Sequence, residues 1–252
     1  RQQLNSKLAT AAAEIKQLEQ EIKQAAGADY TAAVANRDKW QPAIKRAERP
    51  DAYGFHSGIS DSPSKPLWVQ VDLGESTTEI TRIRLYPASD DYAGVGDGFG
   101  FPVRFQVAVS NDKSFNTNTV IFDHTQEDHP NPKLAYLEIP HGEKSPIRYI
   151  RVTATKLAER SNDYILVLSE IVALDQDDAN IAHGMAVTAS SSIEAPVRWA
   201  RQNVTDGLWP RPVSDDGAQK WFAAAQQVQK LWAQANTAER KARRQKLREQ
   251  QT

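Results

Sequence analysis

The sequence predicts a mainly β protein with an α appendage: an antiparallel β-sandwich on an antiparallel helical coiled-coil stem. Three observations predict it. In the middle of the chain, short runs alternate apolar and polar residues, the period-2 pattern of strands with one buried face. At both ends, apolar residues instead recur at gaps of three and four, the seam of a helix that packs on another helix. Glycine, proline and aspartate collect between the central runs, where turns need them. The boundaries that follow are an N-terminal helical stem over 1–48, a sandwich over 49–214 and a returning stem helix over 215–252.

The first seam is Leu4, Leu8, Ala11, Ile15, Leu18, Ile22 and Ala25, and Gly27 is a natural stop. About 25 residues at about 1.5 Å each make a rod of about 38 Å. A second short helix is expected over 29–39, with Asp29 as its N-cap and Pro42 against its continuation. Residues 40–52 read as an extended lead-in. The sandwich is expected to centre on two paired runs. In the first, Val69, Val71 and Leu73 alternate with Gln70 and Asp72; after a turn at Gly74 and Glu75, Ile83 and Leu85 point inward from the second. Further strands are expected over 103–109, 119–122, 134–139, 147–155 and 164–174. The longest interruption, 88–101, is rich in glycine, aspartate and aromatics, and a loop of that length is more often functional than filler. The last seam is Trp221, Ala224, Val228, Leu231, Ala235, Ala238 and Ala242, capped by Asp215 or Asp216, in one helix of about 30 residues. Two seamed helices bracketing one β domain are most simply an antiparallel stem. The alternative is that they pack on the sandwich or pair with another chain.

Composition narrows the function classes. Of 252 residues 40% are hydrophobic and the formal net charge is −1, which supports one sizeable core and gives no global attraction to nucleic acid or an anionic membrane. With no cysteine, disulfides, thiolate metal sites and a cysteine nucleophile are excluded. No apolar run approaches the roughly 20 residues that span a bilayer. The chain opens on Arg1 with no signal-peptide pattern, so it is expected to be a piece of a longer protein.

The run from Trp68 through Val69, Gln70, Val71, Asp72 and Leu73 to Gly74, and the strand of Ile80, Arg82, Ile83, Leu85 and Tyr86, resemble the discoidin or coagulation factor 5/8 type C family. Phe101, Pro102, Phe105, Val107, Val109 and Asn111, then Arg148, Tyr149, Ile150, Arg151 and Val152, then Leu168, Ser169, Glu170 and Ile171, continue the likeness in the family's order over roughly two-thirds of the chain. One departure stands out. The segment such domains open with, a serine-rich strand and an Asp-Gly loop, occurs here last, as Ala189, Ser190, Ser191 and Ser192 followed by Asn203, Asp206 and Gly207. Either the tail is the start of a second, truncated domain, or the sandwich is circularly permuted. Some 30 residues are too few for another sandwich, which favours permutation.

The resemblance implies a galactose-binding-like jelly roll and, for a bacterial member, a non-catalytic carbohydrate-binding module that tethers a larger secreted protein to polysaccharide. It implies glycan and the rest of a parent polypeptide as partners, no nucleic acid, no membrane insertion and an extracytoplasmic location. The alternative is a structural or protein-interaction module, with the stem as spacer and the sandwich docked on a neighbouring domain. Sugar sites in such modules join an aromatic platform to a few polar groups on loops at one end of the sandwich. The candidates are His56, Asp91, Tyr92, Phe99, Arg160, Asn162, Asp163 and Tyr164, whereas Trp68 reads as core. The family's structural Ca2+ maps onto Asp206, Glu170 and the backbone around Asn203, although Leu208 follows Gly207 where a hydroxyl residue is usual. Other signals read as structural. Alternating Gly94, Gly96, Gly98 and Gly100 open no helix and so make no phosphate cradle. His124 and His129 sit in a turn-rich segment. The basic run Arg240, Lys241, Arg243, Arg244, Lys246 and Arg248 is a solvated face opposite Glu14, Glu19 and Glu21.

Overall fold

The computed structural model describes residues 2–48, 50–77, 79–142 and 146–249. The chain divides into two compact units, Pro42–Gln219 and the helical pairing of Arg1–Gln41 with Lys220–Thr252.

The helices are α1 (Gln2–Trp40), α2 (Asp215–Ala235) and α3 (Ala238–Glu249). Gly27 leaves helical dihedrals (φ 72°, ψ −163°), so α1 is two helical segments that meet at the expected stop, the second covering the expected 29–39. Within the helical unit, Leu18 and Ile22 are fully buried against Ala235 and Trp232. Trp221 donates to Gln41 at 3.0 Å, the Tyr30 and Trp232 rings lie 5.9 Å apart, and Arg244 donates to Glu19 at 2.8 Å. Partners on the last helices thus rise in number as those on α1 fall, which makes the pairing antiparallel. The expected single C-terminal helix is broken at Asn236 and Thr237, where the Arg240 guanidinium takes the Ala235 carbonyl at 2.6 Å. The break shifts the phase: Ala238 and Ala242 are exposed, and Leu247 is buried instead. The side chains of Leu4 and Arg248 lie outside the described residues. No helix among the described residues is long and apolar enough to cross a membrane.

The second unit begins with β1 (Arg46–Glu48), β2 (Phe55–His56), β3 (Leu67–Thr77), β4 (Arg82–Tyr86), β5 (Ala88–Asp90) and β6 (Gly96–Phe99). It continues with β7 (Arg104–Ser110), β8 (Thr119–His124), β9 (Leu137–Pro140), β10 (Ile147–Lys156) and β11 (Ala158–Glu159). It closes with β12 (Tyr164–Ile165), β13 (Val167–Leu168), β14 (Glu170–Leu174), β15 (Ala186–Ala189) and β16 (Arg211–Pro212). Two antiparallel sheets form the sandwich, one in the order β15-β3-β10-β7-β8 and one in the order β14-β4-β9. The alternation supplies the core. Val69, Val71, Phe105, Val107, Ile150 and Val152 from the first sheet are fully buried, as are Ile83, Leu85, Ile171 and Ala173 from the second.

Three expectations are corrected here. The runs of β3 and β4 do not pair with each other: β3 continues through Gly74 to Thr77, and the two strands belong to opposite sheets. Alternation marks a buried face in either case, so it left the pairing open. Trp68 is not core. It lies on the opposite face of β3 from Val69, and the Arg151 guanidinium is stacked between its ring (4.3 Å) and that of Phe115 (3.9 Å). The 164–174 run is three strands, β12, β13 and β14, each in a different sheet.

The displaced segment folds back. β15 pairs antiparallel with β3, from Ala186 opposite Asp72 to Ala189 opposite Val69, and Trp68 donates to Ser190 Oγ at 2.9 Å. The tail therefore completes this sandwich and is not the start of a second one.

Candidate functional site

The 88–101 stretch is not an open loop but a hairpin. β5 pairs with β6, and a short 3-10 turn at Tyr92–Gly94 tops it. Its glycines are set by packing: a Cβ on Gly98 (φ 80°) would overlap the Asn131 side chain, and one on Gly100 (φ 67°) would overlap Val167. A clamp from β1 holds the hairpin. Arg46 Nη1 donates to Ser89 Oγ at 2.5 Å and lies 3.7 Å from Asp97 Oδ1, and Ser89 Oγ donates to Asp97 at 2.6 Å. Asp91 is 4.0 Å from Arg46.

Beside it stands the β11–β12 hairpin. Arg160 makes a bidentate pair with Asp163 (2.9 and 2.6 Å), and its guanidinium lies 4.9 Å from the centre of the Tyr92 ring. The hydrogen bond to Asp163 raises the Arg160 pKa, and Arg160 lowers that of Asp163, so both stay ionised across the neutral range. Asn162 occupies the exposed apex in the left-handed region (φ 59°), where asparagine is tolerated. Tyr164 is half-buried and exchanges backbone hydrogen bonds with Ser60. Tyr92 itself is 56% exposed.

Below these groups lies an aromatic layer that joins Phe99 to Trp199 (centroids 5.7 Å apart) and His56 to Trp199 (5.4 Å apart). Phe99 is 2% exposed among Ala88, Ile165, Val167 and Trp199, which corrects the expectation that it offers a platform. His56, also 2% exposed, lies within electrostatic reach of Arg160, Asp90 and Asp163. Burial lowers its pKa, so the ring is neutral at pH 7. Its Nδ1 lies 2.6 Å from the Ser57 carbonyl, which assigns the proton to Nδ1 and the lone pair to Nε2. The structure thus brings Tyr92, Arg160, Asp163 and His56 together, sets Asp91, Asn162 and Tyr164 at their margin and moves Phe99 into the core. The sequence did not point to Arg46 or Trp199, because their partners are more than forty residues away. Two cavities of about 290 and 280 Å³ lie elsewhere, beside Asn111 and His141 and along α1 at Tyr30.

A family model for the F5/8 type C domain matches residues 29–170, more than half of the chain. The chain belongs to the F5/8 type C domain family. The match stops short of β15 and the Asp206 loop, the pieces whose order departs from the usual one. No curated protein matches the chain. Among solved structures, CpGH89CBM32-4 produced by Clostridium perfringens is similar at 24% identity and a TM-score of 0.31, over 46% of this chain and 74% of that one. Its complex with GlcNAc-α-1,4-galactose is similar at 19% identity and a TM-score of 0.27, over 52% and 96%. At these values neither likeness bears on function.

The F5/8 type C resemblance implies a calcium site, and the local chemistry fits a hard cation. Glu170 is fully buried; its Oε1 accepts from the Gly207 N–H at 3.0 Å, and its Oε2 has no hydrogen-bond partner among the described residues. Burial pushes the Glu170 pKa up to about 9, with the nearby Asp206 charge adding to the rise. Burial raises that of Asp206 as well, whose Oδ1 accepts from the Leu208 N–H at 2.8 Å. A buried and a half-buried carboxyl, one with an orphaned oxygen, are an oxygen-only donor set. The Asn203 side chain is turned to another task, donating to the Val197 carbonyl at 2.8 Å. Among the described residues no third histidine or carboxylate joins a metal-sized group, so backbone carbonyls would have to complete the shell.

Proposed function

We propose that this chain is a non-catalytic carbohydrate-binding module that tethers a larger, secreted bacterial protein to polysaccharide. One observation carries the reading: Tyr92, a large aromatic more than half exposed, is held by the Arg160–Asp163 pair at the loop end of an F5/8 type C sandwich. An exposed ring of this kind stacks on the apolar face of a pyranose. Asp91, Asn162, Asp163 and Tyr164 are the polar groups at hand for its hydroxyls, and the buried His56 supports them from beneath. An open surface suits a polymer that runs past the module. Binding of this type raises the local concentration of whatever is attached and needs no chemistry of its own. Glu170 and Asp206 are proposed to hold a structural Ca2+ that fixes the Asp206 loop against β14. An extracytoplasmic location follows from a polysaccharide target.

The test is a glycan array probed with the chain and with Tyr92→Ala. Retention of the first and loss of the second supports the reading. A folded chain that binds no glycan sinks it.

A further inference from the structure

Of the guanidinium groups at the loop end, Arg160 and Arg46 are neutralised within the fold, whereas Arg198 is exposed and lies 5.2 Å from the centre of the Tyr53 ring, which packs on the same aromatic layer. Arg160 is 13% exposed at its side chain and gripped by both oxygens of Asp163. Arg46 is 27% exposed, lies 3.7 Å from Asp97 and donates to the serine that Asp97 also holds. The β5–β6 and β11–β12 hairpins bring five carboxylates to this end, Asp90, Asp91, Asp97, Glu159 and Asp163, against these three arginines. The Asp91 carboxylate stands well out, at 70% exposure. An incoming carboxylate or sulfate therefore meets a surface of its own sign. To reach Arg160 it also has to break a bidentate, charge-assisted pair. A sugar hydroxyl meets no such barrier, because ionised carboxylates accept hydrogen bonds readily.

We infer, resting on the reading of this end as a glycan surface, that it selects uncharged glycans against uronate- and sulfate-bearing ones, and that Asp163 and Asp97 determine the selectivity by neutralising Arg160 and Arg46. Asp97 joins the site in this role without having to touch the sugar.

The experiment is affinity electrophoresis and biolayer interferometry of the full chain on four probes: a neutral galactan, chitin oligosaccharides, polygalacturonate and a sulfated galactan. Each is run at about 0.01 M and about 0.15 M salt, where screening lengths are about 30 and 8 Å. The inference predicts retention on at least one uncharged probe and none on the two anionic ones at either salt. In Asp163→Asn, and separately in Asp97→Asn, it predicts new retention on an anionic probe, by on the order of tenfold in affinity and strongest at low salt. Thermal unfolding of each variant confirms the fold, and two variants guard against one failing to fold. Tyr92-dependent retention of the unaltered chain on polygalacturonate or sulfated galactan overturns the selectivity and leaves the glycan reading standing. Retention on uncharged probes alone, with neither variant gaining an anionic one, overturns the roles of Asp163 and Asp97. A folded chain retained on no probe overturns the glycan reading and this inference with it.

Discussion

Glu170 shows how one side chain turns local chemistry into a measurable property. Its carboxyl holds a proton up to about pH 9 in the folded chain, against an ordinary value of 4.5. A raised carboxyl pKa means that the folded state binds more protons than the unfolded state between those values. Its contribution to stability is therefore full below pH 4.5 and lost as pH rises through about 9. In EDTA, the unfolding temperature of the chain is expected to fall from pH 6 to pH 9 relative to Glu170→Gln, which has no such proton to lose. Added Ca2+ should raise it in the parent chain and leave the variant unmoved. His129 has the opposite sign. Burial among Phe101, Phe105 and Phe122, with the His124 charge adding to the effect, lowers its pKa to about 4. That contribution is present above pH 6.5 and lost as pH falls through 4, so His129→Phe should flatten the acid limb of a pH–stability curve. The carboxyl pair was legible in the sequence because the F5/8 type C resemblance carries both positions. The burial of His129 was not, since the rings around it come from β7, β8 and the approach to them.

At the scale of elements, the β5–β6 hairpin shows what alternation reveals and conceals. The glycines every second residue were legible, and so was their failure to form a phosphate cradle. What they serve depends on Asn131 and Val167, far along the chain, against which the hairpin backbone lies flush. Gly98→Ala puts a methyl group on that contact at a left-handed backbone position and is expected to cost about 2–4 kcal/mol in urea unfolding. Gly94→Ala, also left-handed but with nothing within 4 Å of its Cβ, should cost about 1–2 kcal/mol from backbone strain alone. Equal losses would show that packing against Asn131 adds nothing to the stability of the hairpin. The C-terminal seam gives the same lesson. Its period was readable, but the break after Ala235, where Arg240 satisfies the freed helix-end carbonyl, is something no periodicity encodes.

At the scale of the whole molecule, the larger unit is a sandwich whose strands could be read individually, while their partners could not. β3 and β4 look like a hairpin in sequence and lie in different sheets. β15 looks like the start of another domain and instead edges β3. Its placement predicts that Val187→Pro, which breaks the β15–β3 ladder within the full chain, lowers the unfolding temperature of the sandwich, whereas a tail that formed a separate domain would leave it unchanged. The site was legible in its residue types and less so in their roles, because burial decides that Phe99 supports the surface and Tyr92 forms it. The central claim is that this surface binds glycan. Isothermal titration of the best-retained oligosaccharide against the chain and Tyr92→Ala tests it most directly. Binding to the variant should be at least tenfold weaker, about 1.4 kcal/mol, with an unchanged unfolding temperature. Equal affinity of the two proteins would contradict it.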